Sequence, residues 1–194
     1  ILSDFKPDVV GFNSLSMNRS STYDGAVLAR NFGAKVVFGG VHASSLSSNK
    51  KIYSYADIIV IGEGENTIVD LLRCLENKGD LKNVAGISFL QDGNIFYTQG
   101  REIIHSLDAL PMPDHGYASS IIKKIRKAHL ITSRGCPGKC NFCSTGSYWG
   151  HAVRGFSSKR VLDEVEFILS NFDIDSFMFH DDTFNFSKQR VLEI

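Results

Sequence analysis

Short apolar runs alternate with amphipathic stretches over the first third of the chain, a pattern that predicts parallel strands joined by crossover helices. Val9-Val10-Gly11-Phe12, Lys35-Val36-Val37-Phe38-Gly39-Gly40 and Asp57-Ile58-Ile59-Val60-Ile61-Gly62 lack the polar alternation of a half-exposed strand. Runs of that kind suit strands covered on both faces, so the three are expected as neighbours in one sheet. Between the first two, Ser21 or Thr22 can cap a helix that carries Ala26, Val27, Ala29, Arg30 and Phe32 and ends at Gly33. After the third, Ile68, Leu71, Leu72 and Leu75 recur at helical spacing until Gly79.

The parallel rhythm then breaks. Residues 86–90 and 95–98 flank Gln91-Asp92-Gly93-Asn94 and read as a hairpin, because Asp-Gly supplies the positive φ angles of a tight turn. A segment with Pro111 and Pro113 follows, each proline holding the residue before it extended. A domain boundary is expected between about residues 85 and 125. The final third restarts with a strand over 128–133 that runs straight into a cysteine-rich loop. A helix from Ser157 or Ser158 comes next, with Val161, Val165, Ile168, Leu169 and Phe172 on one face, and then a strand over 176–180. This is one β-α-β unit, right-handed by default. The last residues, from Ser187, read as the first turns of another helix.

Composition narrows the class. With 43% apolar and 22% charged residues the chain resembles soluble globular proteins, and no apolar run approaches the roughly 20 residues of a membrane helix. Twenty-one basic side chains balance twenty-one acidic ones, so no global field draws the chain to nucleic acid or an anionic membrane. The cluster Lys123-Lys124-Ile125-Arg126-Lys127 reads as the solvated face of a linker helix. Three of the four cysteines fall within eight residues, which suits metal ligation in a reducing compartment, and a cytoplasmic location is expected. No signal-peptide pattern is present, and a start at Ile1 with an end inside a helix leads us to expect a piece of a longer protein.

The chemistry concentrates in Cys136-Pro137-Gly138-Lys139-Cys140-Asn141-Phe142-Cys143. Thiolates are the soft ligands that iron–sulfur clusters use, and the spacing lets one loop wrap one cluster. Gly135 and Gly138 allow the backbone to turn sharply around it. Three ligands for four irons leave one iron without a protein thiolate, which is where chemistry can occur. The alternative is a zinc knuckle completed by a histidine such as His151 or His129. Cys74 falls on the flank of a predicted helix and reads as incidental.

The C-x-x-x-C-x-x-C motif, with Phe142 before its last cysteine and Thr132-Ser133-Arg134-Gly135 before its first, resembles the radical S-adenosylmethionine superfamily. That resemblance implies a 4Fe–4S cluster on Cys136, Cys140 and Cys143 whose open iron chelates S-adenosylmethionine, cleaved reductively to a 5′-deoxyadenosyl radical. It implies that Phe142 backs the adenine. The stretch 150–157 resembles the lead into the first barrel helix, and Phe179-His180-Asp181-Asp182-Thr183-Phe184 the end of the second barrel strand. Asp181, Asp182 and Thr183 are then expected to reach the cofactor's ammonium group, since strand carboxyl ends face a barrel's active site. The two carboxylates can equally cap the next helix.

The first third is similar to the cobalamin-binding domain that precedes the radical domain in one branch of this superfamily. The matching segments are Gly11-Phe12-Asn13-Ser14-Leu15, Phe38-Gly39-Gly40-Val41-His42-Ala43 and Ile61-Gly62-Glu63-Gly64-Glu65, each at the carboxyl end of a predicted strand. Asn13, Leu15, Gly39, Gly40 and Gly62 are therefore expected to line the floor for the corrin's nucleotide tail. No Asp-x-His-x-x-Gly loop is present, so either it precedes the visible strands or cobalt goes without a protein histidine. His42 reads as a surface histidine.

The expected architecture is α/β: a Rossmann-like (flavodoxin-like) parallel sheet of cobalamin-binding type over 1–84 with its first strand missing, a hairpin and linker over 85–127, and the first β-α-β part of a radical (β/α) partial TIM barrel over 128–194. The implied enzyme is a methyltransferase or oxidative cyclase with cobalamin, acting on a small molecule, fed by a donor such as flavodoxin or ferredoxin, and inactive as this piece alone. The alternatives are a radical enzyme without cobalamin, or a non-enzymatic zinc module. Neither nucleic acid nor membrane is an expected partner.

Overall fold

The computed structural model describes residues 2–194, which divide into two compact units, Ile1–Ile103 and Ile104–Ile194. The first unit runs α1 (Leu2–Phe5), β1 (Val9–Asn13), α2 (Arg19–Asn31), β2 (Lys35–Gly39), α3 (Val41–Ser45), β3 (Ile58–Val60), α4 (Glu65–Glu76), β4 (Ile87–Gln91) and β5 (Asn94–Tyr97). Its five strands form one sheet in the order β1-β2-β3-β4-β5. β1, β2 and β3 are parallel, and the hairpin β4–β5 joins antiparallel to β3 through pairs such as Ile59 with Ser88. The hairpin over 85–98 thus belongs to the sheet. Its turn places Asp92 at φ 50° and Gly93 at φ 73°, the two positive angles that twist neighbouring strands correctly.

The unbroken apolar runs are explained by burial on both sheet faces. From β2, Val36 and Phe38 pack with Ala26, Ala29 and Ile59 on one side. Val37 turns the other way and meets Ile58, Leu71 and Ile87. β1 departs from this pattern: Gly11 and Asn13 are exposed, because among the described residues β1 is an edge strand with one neighbour.

Both helices differ from expectation at their ends. α2 starts at Arg19, before Ser21 and Thr22, because the Asn18 side chain accepts from Leu15 N–H at 2.8 Å and donates to the Asn13 carbonyl at 3.1 Å, folding the chain earlier. Thr22 is buried within it, while Val27 and Phe32 face outward. α4 ends in a Schellman motif, with Gly79 N–H bonded to Cys74 O at 2.8 Å and Lys78 N–H to Leu75 O at 3.2 Å. That geometry gives the left-handed position to Lys78, at φ 51°, one residue before the glycine. Leu71 is fully buried, whereas Leu72, one residue on and about 100° round the helix, is 44% exposed.

The second unit contains α5 (Ser119–Ile125), β6 (Lys127–Leu130), β7 (Ser133–Arg134), α6 (Thr145–Trp149), β8 (Arg154–Gly155), α7 (Ser158–Asn171), β9 (Ser176–Phe179) and α8 (Lys188–Glu193). β6 and β9 are parallel, and Ala128 and Leu130 pack on Ile168 of α7, flanked by Val165 and Phe177. Ser157 caps α7 by accepting from Arg160 N–H at 3.2 Å. Leu169, expected on the packed face, is exposed. The basic cluster spans the last turn of α5, its cap Arg126 and the first residue of β6, and Arg126 is paired with Asp173 and Asp175. No helix among the described residues is long and apolar enough to cross a membrane.

The burial contrast on α4 is testable. Leu71→Ala should cost about 2–5 kcal/mol of unfolding free energy by the cavity it leaves, while Leu72→Ala should stay within about 0.5 kcal/mol. Urea unfolding of both variants checks this, and equal losses would contradict the packing described.

Candidate functional site

The cysteine loop is closed at its base by a two-residue antiparallel ladder, Ser133 with Gly155 and Arg134 with Arg154. The sequence reading missed this ladder, having drawn one strand over 128–133. The break comes at Thr132, whose N–H turns to the Asp181 carboxylate at 3.0 Å. Gly135, next in the chain, sits at φ 94°, and a Cβ there would strike the Ala152 carbonyl, so only glycine fits. Arg134 lies over the Trp149 ring, 5.0 Å from its centre. Buried Arg154 donates to the carbonyls of Ile104 at 2.6 Å and Trp149 at 3.0 Å.

Held this way, the loop presents three free thiols, Cys136, Cys140 and Cys143, to one cavity of about 320 Å³. Gly138 lies between two of them, where a Cβ would come to 3.4 Å from Cys136 Sγ and 3.7 Å from Cys140 Sγ. Soft donors around a cleared cavity fit an iron–sulfur cluster. Among the described residues no three His, Cys, Asp or Glu side chains gather as they would about a single ion. His151 lines the same cavity but points Nδ1 at the Gly138 carbonyl, 3.1 Å away, and His129 pairs with His180 at 2.5 Å. At Cys143, hydrogen bonds from the Thr145 hydroxyl and then its backbone N–H hold the thiol below its ordinary range, against desolvation and the opposing charge of Asp182. Phe142 stands 93% exposed beside it.

The three residues expected after the second barrel strand separate in the structure. Asp181 Oδ1 accepts from Thr132 N–H, from Thr132 Oγ1 at 2.9 Å and from Ser133 Oγ at 2.5 Å, rooting the loop to the end of β9. Asp182 accepts from the Thr145 hydroxyl at 3.1 Å, and the Thr183 carbonyl from Ser133 Oγ at 3.4 Å. Neither carboxylate caps α8, which Ser187 caps through Arg190 N–H at 3.3 Å. Sequence reasoning also missed Arg190, which is buried and donates to the Thr132 carbonyl at 2.9 Å and the Phe156 carbonyl at 3.2 Å. Burial pulls its pKa down, and Asp181 opposes the shift. Its only sequence signal is its place three residues after a serine cap.

In the first unit a second cavity, of about 370 Å³, opens at the carboxyl ends of the parallel strands and is lined in part by Asn13, Gly39, Gly40 and Glu65. Gly40, at φ 89°, would put a Cβ 2.8 Å from the Ser14 carbonyl. That closeness reflects two loops bonded to each other, Ser14 N–H to Gly39 O at 2.8 Å and His42 N–H to Ser14 O at 3.1 Å. Leu15 and Gly62 do not line the cavity; Gly62 N–H donates to Ser44 Oγ at 3.2 Å. His42 has both ring nitrogens engaged, Nδ1 with Ser16 Oγ at 3.1 Å and Nε2 with the Tyr23 hydroxyl at 3.2 Å. Cys74 packs half-buried beside the core of α4.

The described residues thus combine an α/β sheet, a cavity at its strand ends and a three-cysteine loop. The chain's homologues and structural neighbours are cobalamin-dependent radical S-adenosylmethionine enzymes. It is 30% identical over 200 residues to an uncharacterised methyltransferase of Pyrococcus horikoshii, covering 100% of this chain and 44% of that protein. It is 26% identical over 204 residues to the anaerobic magnesium-protoporphyrin IX monomethyl ester cyclase of Cereibacter sphaeroides, covering 99% and 33%. The fold matches that of the cobalamin-dependent S-adenosylmethionine radical enzyme OxsB, solved with aqua-cobalamin and S-adenosylmethionine, with a TM-score of 0.84 and 24% identity over 100% of this chain and 29% of that one. The chain thus spans less than half the length of these relatives. No family model matches it.

Two measurements test the site. Asp181→Ala strands the Thr132 and Ser133 donors, which should cost about 1–3 kcal/mol and speed hydrogen exchange at the Thr132 amide; unchanged exchange would remove Asp181 as the loop's root. In metal-free protein, Cys143 should react with iodoacetamide at lower pH than in Thr145→Val, because thiolate forms earlier when the hydroxyl bonds it. Coincident pH profiles would discard that hydrogen bond.

Proposed function

We propose that this chain carries the cluster-binding and cobalamin-binding parts of a radical S-adenosylmethionine enzyme. The observation that carries the reading is the set of three free thiols at C-x-x-x-C-x-x-C spacing around one cavity, on a loop rooted where β6 and β9 end. Cys136, Cys140 and Cys143 hold a 4Fe–4S cluster, and Gly138 keeps its bed clear. When bound and reduced, the cluster supplies the electron that splits the carbon–sulfur bond of S-adenosylmethionine, and cobalamin supplies a carrier for a methyl group.

The chain's own groups bind and orient. Arg134, Trp149 and Arg154 fix the loop's limbs, so the three thiols line one cavity before any ligand arrives. Phe142 offers an exposed ring for the adenine, and Asp182 and Thr183 lie at the end of β9 where an ammonium group is to be held. Asp181 supports this from below, through Thr132 and Ser133. In the first unit Asn13, Gly39 and Gly40 form the floor for the corrin's tail. Residues 104–194 are read as the opening of a barrel whose first two strands are β6 and β9. The whole enzyme is then a methyltransferase or oxidative cyclase acting on a small molecule, with electrons from a flavodoxin- or ferredoxin-type donor. A radical barrel of this type needs about six β-α units, of which residues 128–194 hold one and the start of another, so residues 1–194 alone are expected not to turn over.

Anaerobic reconstitution of the full-length protein with iron and sulfide should give a brown protein that cleaves S-adenosylmethionine on reduction. Alanine at Cys136, Cys140 or Cys143 should abolish both colour and cleavage. Full-length protein that takes up zinc and no iron overturns the reading. Equilibrium dialysis against hydroxocobalamin tests the first unit separately, and absence of binding would leave a radical enzyme whose sheet serves another purpose.

A further inference from the structure

We propose that Asp182 and Thr145 form a clasp that positions Cys143 and sets how readily a cluster on the three cysteines accepts its electron. The proposal rests on the reading of those cysteines as cluster ligands.

The two residues lie 37 positions apart in sequence. Asp182 follows β9, and Thr145 opens α6 two residues after the last cysteine. Their 3.1 Å hydrogen bond ties the outgoing limb of the loop to the strand end, as Asp181 ties the incoming limb through Thr132 and Ser133. Consecutive carboxylates thus hold opposite ends of one loop. The Thr145 hydroxyl and N–H also reach Cys143 Sγ. A hydroxyl has one proton to donate, whereas a thiolate and a carboxylate only accept. Cys143 and Asp182 therefore compete for the same proton.

The competition has a redox meaning. Cluster potentials follow net charge and hydrogen bonds to the sulfurs. The ionised Asp182 disfavours a further electron, while a hydrogen bond from Thr145 to Cys143 favours it. Removing the charge and removing the donor should move the potential in opposite directions. A residue that merely supported the fold would not give opposite signs.

The test is a redox titration of the anaerobically reconstituted full-length protein, followed by electron paramagnetic resonance of the reduced cluster, without S-adenosylmethionine. Asp182→Asn, which still accepts from Thr145, should raise the reduced-to-oxidised ratio at the wild-type midpoint on the order of tenfold, about 59 mV for one electron. Thr145→Val should lower that ratio, and Thr145→Ser, which keeps the hydroxyl, should restore it. If the valine variant assembles no cluster, Asp182→Asn and Thr145→Ser carry the test with the same expectations. A cluster of full iron and sulfide content whose midpoint ignores these substitutions overturns the clasp alone. If Asp182→Asn weakens S-adenosylmethionine binding but leaves the midpoint where it was, the residue serves the cofactor alone and the clasp is likewise overturned. Wild-type protein that takes up no iron overturns both the clasp and the reading beneath it.

Discussion

One carboxylate oxygen, Asp181 Oδ1, gathers the Thr132 N–H, the Thr132 hydroxyl and the Ser133 hydroxyl at the point where β6 gives way to the cysteine loop. A carboxylate away from water is costly unless it is well bonded, so this contact leaves little freedom for either partner. Arg190 adds a second constraint from α8 by taking the Thr132 carbonyl. Thr132 therefore has its N–H and hydroxyl committed to the segment that follows β9, and its carbonyl shared between Arg190 and the Phe156 N–H. Where the three cysteines stand depends on that residue being fixed.

The first unit solves a related problem with sterics. The loops after β1 and β2 meet closely enough for Ser14 and Gly39, and then Ser14 and His42, to share backbone hydrogen bonds. Gly40 is the residue that permits this approach, and its missing side chain helps leave the strand-end cavity open. Gly135 does the same at the loop base opposite Ala152. Absence of a Cβ, rather than a reactive group, is what these positions contribute.

Much of this was legible in the sequence, and the exceptions share a cause. Unbroken runs such as 36–38 and 58–60 announced strands buried on both sides, and Asp92-Gly93 announced its turn, because both signals are local. The three cysteines announced themselves by spacing. Hidden features needed partners far along the chain: Thr132 with Asp181, Arg154 with Ile104, and Arg190 with Thr132. Leu72 and Leu169 were assigned to buried stripes because periodicity marks a helix's apolar side but not how far its cover extends. Leu15 and Gly62 matched a motif by position, while the cavity is lined by the neighbours that the β1 and β2 loops bring together.

The two-residue ladder at the base of the cysteine loop bears on how such a centre is built. Many small metal-binding segments are unstructured until the ion arrives, so that loading and folding are one event. Here Ser133–Gly155 and Arg134–Arg154 close the loop through backbone pairing that asks nothing of a metal. On the proposed reading, iron and sulfide meet a loop whose base is already closed.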